Sequence, residues 1–370
     1  MKVLVLTISA GQGHNKTAYA VEEYLKKCDV DVEVIDTYKY FNSSLSNIVE
    51  KGYLLSTKFT PGIYGTIYSK EEQRDHSNKP NIVDMVGKVV LKDFIELIDQ
   101  KNPDAIVATH VFAANLVSQL KEKDEIKATT YGVVTDFTAH PFWETAQLDY
   151  YVTPTKLLNN QMLSKNIPEE KILPFGIPIG TKFAQKVDKT EARKQLGIED
   201  KSTVFVMTGS MGYGDVLKYV TELDNVSYDF QIIVVCGSNE ILKGEVDRLQ
   251  TNKKVYTYGF VDNVDVIMSA SDVIVSKPGG LSVSEALAKK LPMILIDPIP
   301  GQEDRNRDFL INNGVAIGVN EKFTVGEAIY QLITSENRLD CMRKMAEEIG
   351  NPNSSKDLGD FLIKNITQKE

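Results

Sequence analysis

The sequence predicts an α/β protein built from two doubly wound domains, and three observations carry that expectation. Short apolar runs alternate with helical patterns along the chain, the grammar of a buried parallel sheet. The alternation is interrupted at PFGIPIG (174–180), where prolines and glycines prevent a regular element, and then restarts. At 370 residues the chain is too long for one comfortable core and suits two.

In order, residues 2–8 (KVLVLTI) read as a buried strand, 15–27 as a helix and 30–36 (VDVEVID) as a strand. An apolar-periodic helix over 82–100 precedes strands at 104–108 and 128–135. The second half offers strands near 203–208, 230–236, 272–276 and 292–296, each followed by a helical stretch, and a last helix over 354–366. The domains are therefore expected at 1–177 and 178–352, with 353–370 a terminal helix able to pack back on the first domain. Residues 38–81, rich in Tyr, Phe, Leu, Lys and Gly, break the grammar. A connection that long is either functional or a helical insertion burying its aromatics.

Composition narrows the function. Hydrophobic residues make up 42% and charged residues 25%, a globular profile. The formal net charge of −9 argues against a nucleic-acid partner. Cys28, Cys236 and Cys341 match no metal or CxxC spacing and read as reduced thiols. The opening MKVLVLTISA has an apolar run of only about eight residues before a Gly/His loop, so it reads as a first strand and not a signal peptide. No stretch approaches the ~18–20 apolar residues of a membrane span. A cytoplasmic protein is expected, with any lipid contact peripheral.

Three glycine-rich turns sit where strands hand over to helices. The first, GQGH (11–14), lacks GxGxxG and GK[ST], and Asp36 alone is weak support for a ribose contact. Gly13 would let a ligand approach the backbone, and His14 would enter the cleft with a pKa suited to general-base work, unless it is only a cap. The second, TGSMGYGD (208–215), presents backbone N–H groups at Gly209, Ser210, Met211 and Gly212, suited to a diphosphate. The third, Pro278-Gly279-Gly280 after Lys277, opens a helix carrying Ser282 and Glu285, whose carboxylate could accept from a ribose diol. DPIPGQEDRN then supplies Gln302, Glu303 and Asn306 as hydrogen-bonding groups for sugar hydroxyls. His14, His76, His110 and His140 show no ligand spacing, and His110 either lines the cleft or caps a helix. DVD at 29–31 lies away from any strand's carboxyl end and reads as a solvated turn.

GQGH, TDFTAHPFW (135–143), TGSMGYG and KPGGLSVSEAL…PGQEDRN together resemble the diacylglycerol glucosyltransferase and monogalactosyldiacylglycerol synthase family, relatives of the transferase that forms lipid II. The resemblance spans nearly the whole chain and is tightest at 276–306. It implies a GT-B fold, two Rossmann-like domains facing across a cleft, with a UDP-glucose or UDP-galactose donor in the second domain. The first domain would face diacylglycerol or a glycosyl-diacylglycerol. Gly209–Gly212 and Lys277–Gly280 would take the diphosphate, Glu285 the ribose, backbone near Phe260 and Val261 the uracil, and Gln302, Glu303 and Asn306 the hexose. His14 would serve the acceptor hydroxyl, with Asp136 sharing the work or capping a strand. His140 and Trp143 fall in a family segment on the membrane-facing acceptor side, where Phe59 and Tyr64 of the 38–81 stretch would join them. Trp143 otherwise has a core role.

The resulting expectation is an inverting, metal-independent hexosyltransferase with no tightly bound cofactor, docked on the anionic inner face of the cell membrane. Its rivals are N-acetylglucosamine transfer to a polyprenyl-linked acceptor, a UDP-sugar 2-epimerase and a non-enzymatic UDP-sugar sensor. The 38–81 stretch and HPFW favour an acceptor-binding transferase over the epimerase.

Overall fold

The computed structural model describes residues 1–9, 12–41, 82–209, 212 and 214–368. The chain divides into two compact units. One comprises Met1–Thr181, Ile299–Arg305 and Asn353–Glu370, the other Lys182–Pro298 and Asn306–Pro352.

The first unit is a six-stranded parallel sheet in the order β2-β1-β3-β4-β5-β6. Its strands are β1 (Lys2–Thr7), β2 (Asp31–Asp36), β3 (Ala105–Ala108), β4 (Thr129–Val133), β5 (Tyr150–Val152) and β6 (Ile172–Leu173). Consecutive β1 residues Val3, Leu4, Val5 and Leu6 are all buried, so both faces of the strand are covered. The helix Gln12–Lys27 buries Ala18, Val21 and Leu25, a stripe at helical spacing, and ends on Lys26 and Lys27, which suit its negative terminus. The last helix, Ser354–Thr367, sends Leu358, Leu362 and Ile366 into this same core. Gly359 lies against the Tyr24 ring, where a Cβ would collide, and the Tyr24 hydroxyl donates to Asp360 at 2.6 Å.

The second unit repeats the plan in the order β12-β11-β10-β7-β8-β9, all parallel. Its strands are β7 (Thr203–Met207), β8 (Gln231–Val235), β9 (Val255–Tyr258), β10 (Val273–Ser276), β11 (Met293–Leu295) and β12 (Ala316–Gly318). Local signals set its helices. Asp188 accepts from the N–H groups of Thr190 and Glu191, and Gly197 at φ +66° ends that helix. Thr324 caps the next-to-last helix of this unit, accepting from Glu327 N at 3.2 Å.

Both orders contain a switch point, β1/β3 in the first sheet and β7/β10 in the second. There the carboxyl ends of neighbouring strands open a crevice that ligands use. No described helix is long and apolar enough to cross a membrane.

Candidate functional site

In the first unit, the segments following β1, β3 and β4 meet around His14. Its Nδ1 lies 2.9 Å from the Thr109 carbonyl, which can only accept, so Nδ1 carries the proton and Nε2 keeps its lone pair. Thr135 Oγ1 stands 3.1 Å from the same nitrogen. The His110 ring meets the His14 ring edge-on, centroids 4.5 Å apart. Burial pushes the His14 pKa below its usual value, and the neighbouring Asp136 charge and the Thr109 bond partly oppose that. A partly buried imidazole, neutral near pH 7 with Nε2 unprotonated, is equipped to accept a proton. His110 caps the helix Val111–Glu122, its Nδ1 accepting from Phe112 N at 3.1 Å. Burial, with the nearby His14 and His140, holds its pKa well below the usual value.

A polar chain braces the start of the His14 helix. Thr7 Oγ1 donates to Asn15 Oδ1 at 2.9 Å, Asn15 Nδ2 donates to Ser9 Oγ at 2.9 Å, and Ser9 donates to Asp36. Lys39 Nζ lies 3.6 Å from Asp36. Asp36 is thus engaged in holding the loop and not held out toward a ribose.

In the second unit, the loops after β7, β10 and β11 gather on one edge of the sheet. Gly209 at φ +87° has open space where a side chain would be. Gly212 at φ +60° lies so close to the Cys236 carbonyl that no side chain fits there. The helix Gly280–Ala288 has no side-chain cap at its start, so its first N–H groups face outward from the PGG turn. Lys277 is half-buried beside this turn, and Glu285 is buried one and a half turns into the helix. Ser282 is half-buried on it, Val261 is half-buried and Phe260 is exposed.

The helix Gln302–Asn312 carries the last segment. Glu303 Oε2 accepts from Ile299 N at 2.8 Å, fixing the turn ahead of it. Asn306 is fully buried and donates to the Pro278 carbonyl at 3.0 Å. It braces this helix against the PGG turn.

Of the two roles open to Trp143, the core one agrees with its surroundings. It is 3% exposed, seated over Gly132, whose missing side chain leaves room for the indole, and edge-on to Tyr151. A buried indole cannot insert among headgroups; Trp143 is core. His140 is half-buried and caps the turn Pro141–Trp143, accepting from Phe142 N at 3.1 Å. Asp29 and Asp31 of DVD flank the start of β2, at the amino end of its sheet. Phe59, Tyr64 and the rest of 42–81, with Gly11, Ser210 and Met211, lie outside the described residues. Thr109, which orients His14, carried no motif in the sequence, its only signal being its place at the end of an apolar run; Thr135 opens TDFTAHPFW but was not singled out there.

Comparison with known proteins separates the readings. The family model described as monogalactosyldiacylglycerol (MGDG) synthase matches residues 14–179, and that of the glycosyltransferase family 28 C-terminal domain matches 203–358. The processive diacylglycerol beta-glucosyltransferase of Bacillus licheniformis is 29% identical over 95% of this chain and 92% of its own. The Bacillus subtilis protein of the same name is 29% identical over 98% and 95%. The chain is a UDP-sugar glycosyltransferase, similar to these proteins along nearly its whole length.

The fold agrees. Acinetobacter baumannii MurG superposes on the glycosyltransferase with a TM-score of 0.65 at 14% identity, covering 98% of this chain and 100% of that one. A Neisseria meningitidis UDP-GlcNAc 2-epimerase reaches 0.61 at 17% identity, covering 99% and 100%. At such identities the likeness shows a shared GT-B architecture and does not choose among activities.

Proposed function

We propose that the enzyme moves a hexose from a UDP-sugar to diacylglycerol or its monoglycosyl product, inverting the anomeric centre. The observation that carries this reading is the His14 arrangement, a neutral imidazole with its Nδ1 proton committed to Thr109, within a chain whose relatives are named diacylglycerol glucosyltransferases. Nε2 would take the proton of the acceptor hydroxyl as that oxygen attacks the anomeric carbon. The Asp136 charge would stabilise the imidazolium that forms. UDP would leave with its negative charge held by the N–H groups opening the Gly280–Ala288 helix, the Gly209–Gly212 amides and Lys277. Glu285 would hold the ribose, Gln302 and Glu303 the hexose, and backbone near Phe260 and Val261 the uracil.

Incubation with labelled UDP-glucose or UDP-galactose tests this, with and without diacylglycerol. Label is expected in a lipid-soluble product only when donor and acceptor are both present, and undiminished in EDTA, because amides, a helix start and a lysine handle the phosphate charge. Conversion of the UDP-sugar without acceptor would favour the epimerase. Loss in EDTA that Mg²⁺ or Mn²⁺ restores would overturn the metal-independent step.

The acceptor is insoluble, so the enzyme would work at a bilayer surface, placing it in the cytoplasm at the inner face of the membrane. Between 51 and 92 the basic residues Lys51, Lys58, Lys70, Arg74, Lys79, Lys88 and Lys92 outnumber Glu71, Glu72, Asp75 and Asp84. Phe59, Ile63, Tyr64, Ile67 and Tyr68 supply apolar and aromatic groups beside them. Each lysine near anionic lipid contributes roughly 1 kcal/mol, enough for reversible attachment together with shallow burial. The protein is expected to float with phosphatidylglycerol liposomes at low salt and less at high salt. A variant carrying Lys58→Glu, Lys70→Glu and Arg74→Glu should stay at the bottom of the gradient, and equal flotation would move the docking face elsewhere.

A further inference from the structure

His110 does two things at once. Its backbone, extended at φ −136° and ψ 139°, precedes the helix Val111–Glu122, and its Nδ1 accepts from Phe112 N at 3.1 Å. Its ring meets the His14 ring edge-on, centroids 4.5 Å apart, an arrangement that aromatic pairs prefer. The residues that cap helix starts well are Ser, Thr, Asp, Asn and Gly, and none of them carries a ring. The rings of Phe, Tyr and Trp have no nitrogen lone pair to offer a backbone N–H. Histidine is the side chain that supplies both. A helix start that needed only a cap would be served better by asparagine, so the ring itself calls for a use.

That use follows from how His14 is held. The Thr109 carbonyl at 2.9 Å and Thr135 Oγ1 at 3.1 Å engage the same atom, Nδ1. Two grips on one atom fix the proton but leave the imidazole able to pivot there, which would swing Nε2 away from the group it is to deprotonate. A flat, rigid neighbour removes that freedom. His110 directly follows Thr109, so one stretch of backbone after β3 delivers both the carbonyl and the ring. The ring is 9% exposed, anchored by its cap bond and backed by Phe112 at a centroid distance of 5.1 Å. Phe112 in turn lies 5.9 Å from Phe142, so the support continues behind it.

We infer that His110 is a positioning residue whose ring holds the His14 imidazole in the orientation that aims Nε2 at the acceptor hydroxyl. The inference rests on His14 being the base of the proposed transfer, and it gives a helix cap a part in that reaction.

His110→Asn keeps a cap and removes the ring; His110→Phe keeps a ring and removes the cap. Both are measured for turnover with diacylglycerol and labelled UDP-glucose or UDP-galactose, for UDP affinity, for thermal melting and by nitrogen NMR of the histidine rings. His110→Asn is expected to melt and bind UDP much as the wild type does. Its turnover should fall by roughly ten- to a hundredfold, the scale of a misplaced catalytic group. Its His14 nitrogen signals, identified by their loss in His14→Ala, should move from the single Nδ1–H tautomer toward a mixture of the two. His110→Phe should melt lower for want of the cap, yet retain more turnover than His110→Asn. Wild-type turnover in His110→Asn, or an unchanged His14 tautomer there, overturns the proposal and leaves His110 a cap. So does a folded His110→Phe less active than His110→Asn. His14→Ala separates the two ways of failing. If it keeps near-normal turnover, the base reading fails and this inference with it. If it is inactive while His110→Asn turns over normally, only this inference fails. Should His110→Phe not fold, the turnover and NMR of His110→Asn decide.

Discussion

His14→Ala lowers turnover by roughly 10²-fold or more while UDP affinity changes little. A base acting on the acceptor hydroxyl, the role proposed for His14, would on its loss raise the chemical barrier by about 1.4 kcal/mol per decade and leave donor binding untouched. Steady-state kinetics paired with UDP titration reads both numbers. Near-normal turnover would reduce the His14 loop to a structural corner and make Asp136 the leading candidate for the base.

The pH profile separates those two roles. A base must be unprotonated, so kcat/KM falls as pH drops through the His14 pKa. Burial depresses that pKa from 6.5, and the acid limb is therefore expected below pH 6.5. The Asp136 charge favours the protonated ring and raises the pKa, so Asp136→Asn should move the limb to still lower pH while much of the activity at pH 8 survives. Were Asp136 itself the base, the same variant would be inactive at every pH.

The central strands were legible in the sequence because burial on both faces makes them mostly apolar runs: β1, β3, β7, β8, β10 and β11, with the more polar TTYGV of β4. Four other strands were not. β5 and β6 are three and two residues long, and β12 is three. All four residues of β9, VYTY, are half-buried, which removes both the apolar run and the alternation that announce a strand. Such strands exist because a neighbour offers a row of backbone partners, and local sequence carries little of that. The site divides the same way. Glycine turns and His14 are visible as pattern, but what fixes the imidazole is the Thr109 carbonyl and the Thr135 hydroxyl, which stand 95 and 121 residues away. Asn306 and Trp143 show the converse. A motif residue can be a brace, and a lone tryptophan can be core, because burial is decided by tertiary neighbours such as Pro278 and Gly132.

Glu285→Ala weakens UDP binding by about 1–3 kcal/mol, or roughly ten- to a hundredfold. The carboxylate lies on the helix whose start forms the PGG turn, and it is 8% exposed. A buried carboxylate fixed by its own helix loses little entropy when it accepts from two ribose hydroxyls, and charge-assisted bonds of that kind are the strong ones. Turnover at saturating donor should change less than affinity, because the ribose is remote from the bonds that form and break and is held alike in ground and transition states. Calorimetry with UDP and with UMP provides the check: both ligands contain the ribose, so both should weaken by the same factor. The same weakening with uridine distinguishes Glu285 from a phosphate contact, whose loss would spare uridine. Unchanged affinity for both ligands, in a variant that melts as the wild type does, takes Glu285 out of the donor site.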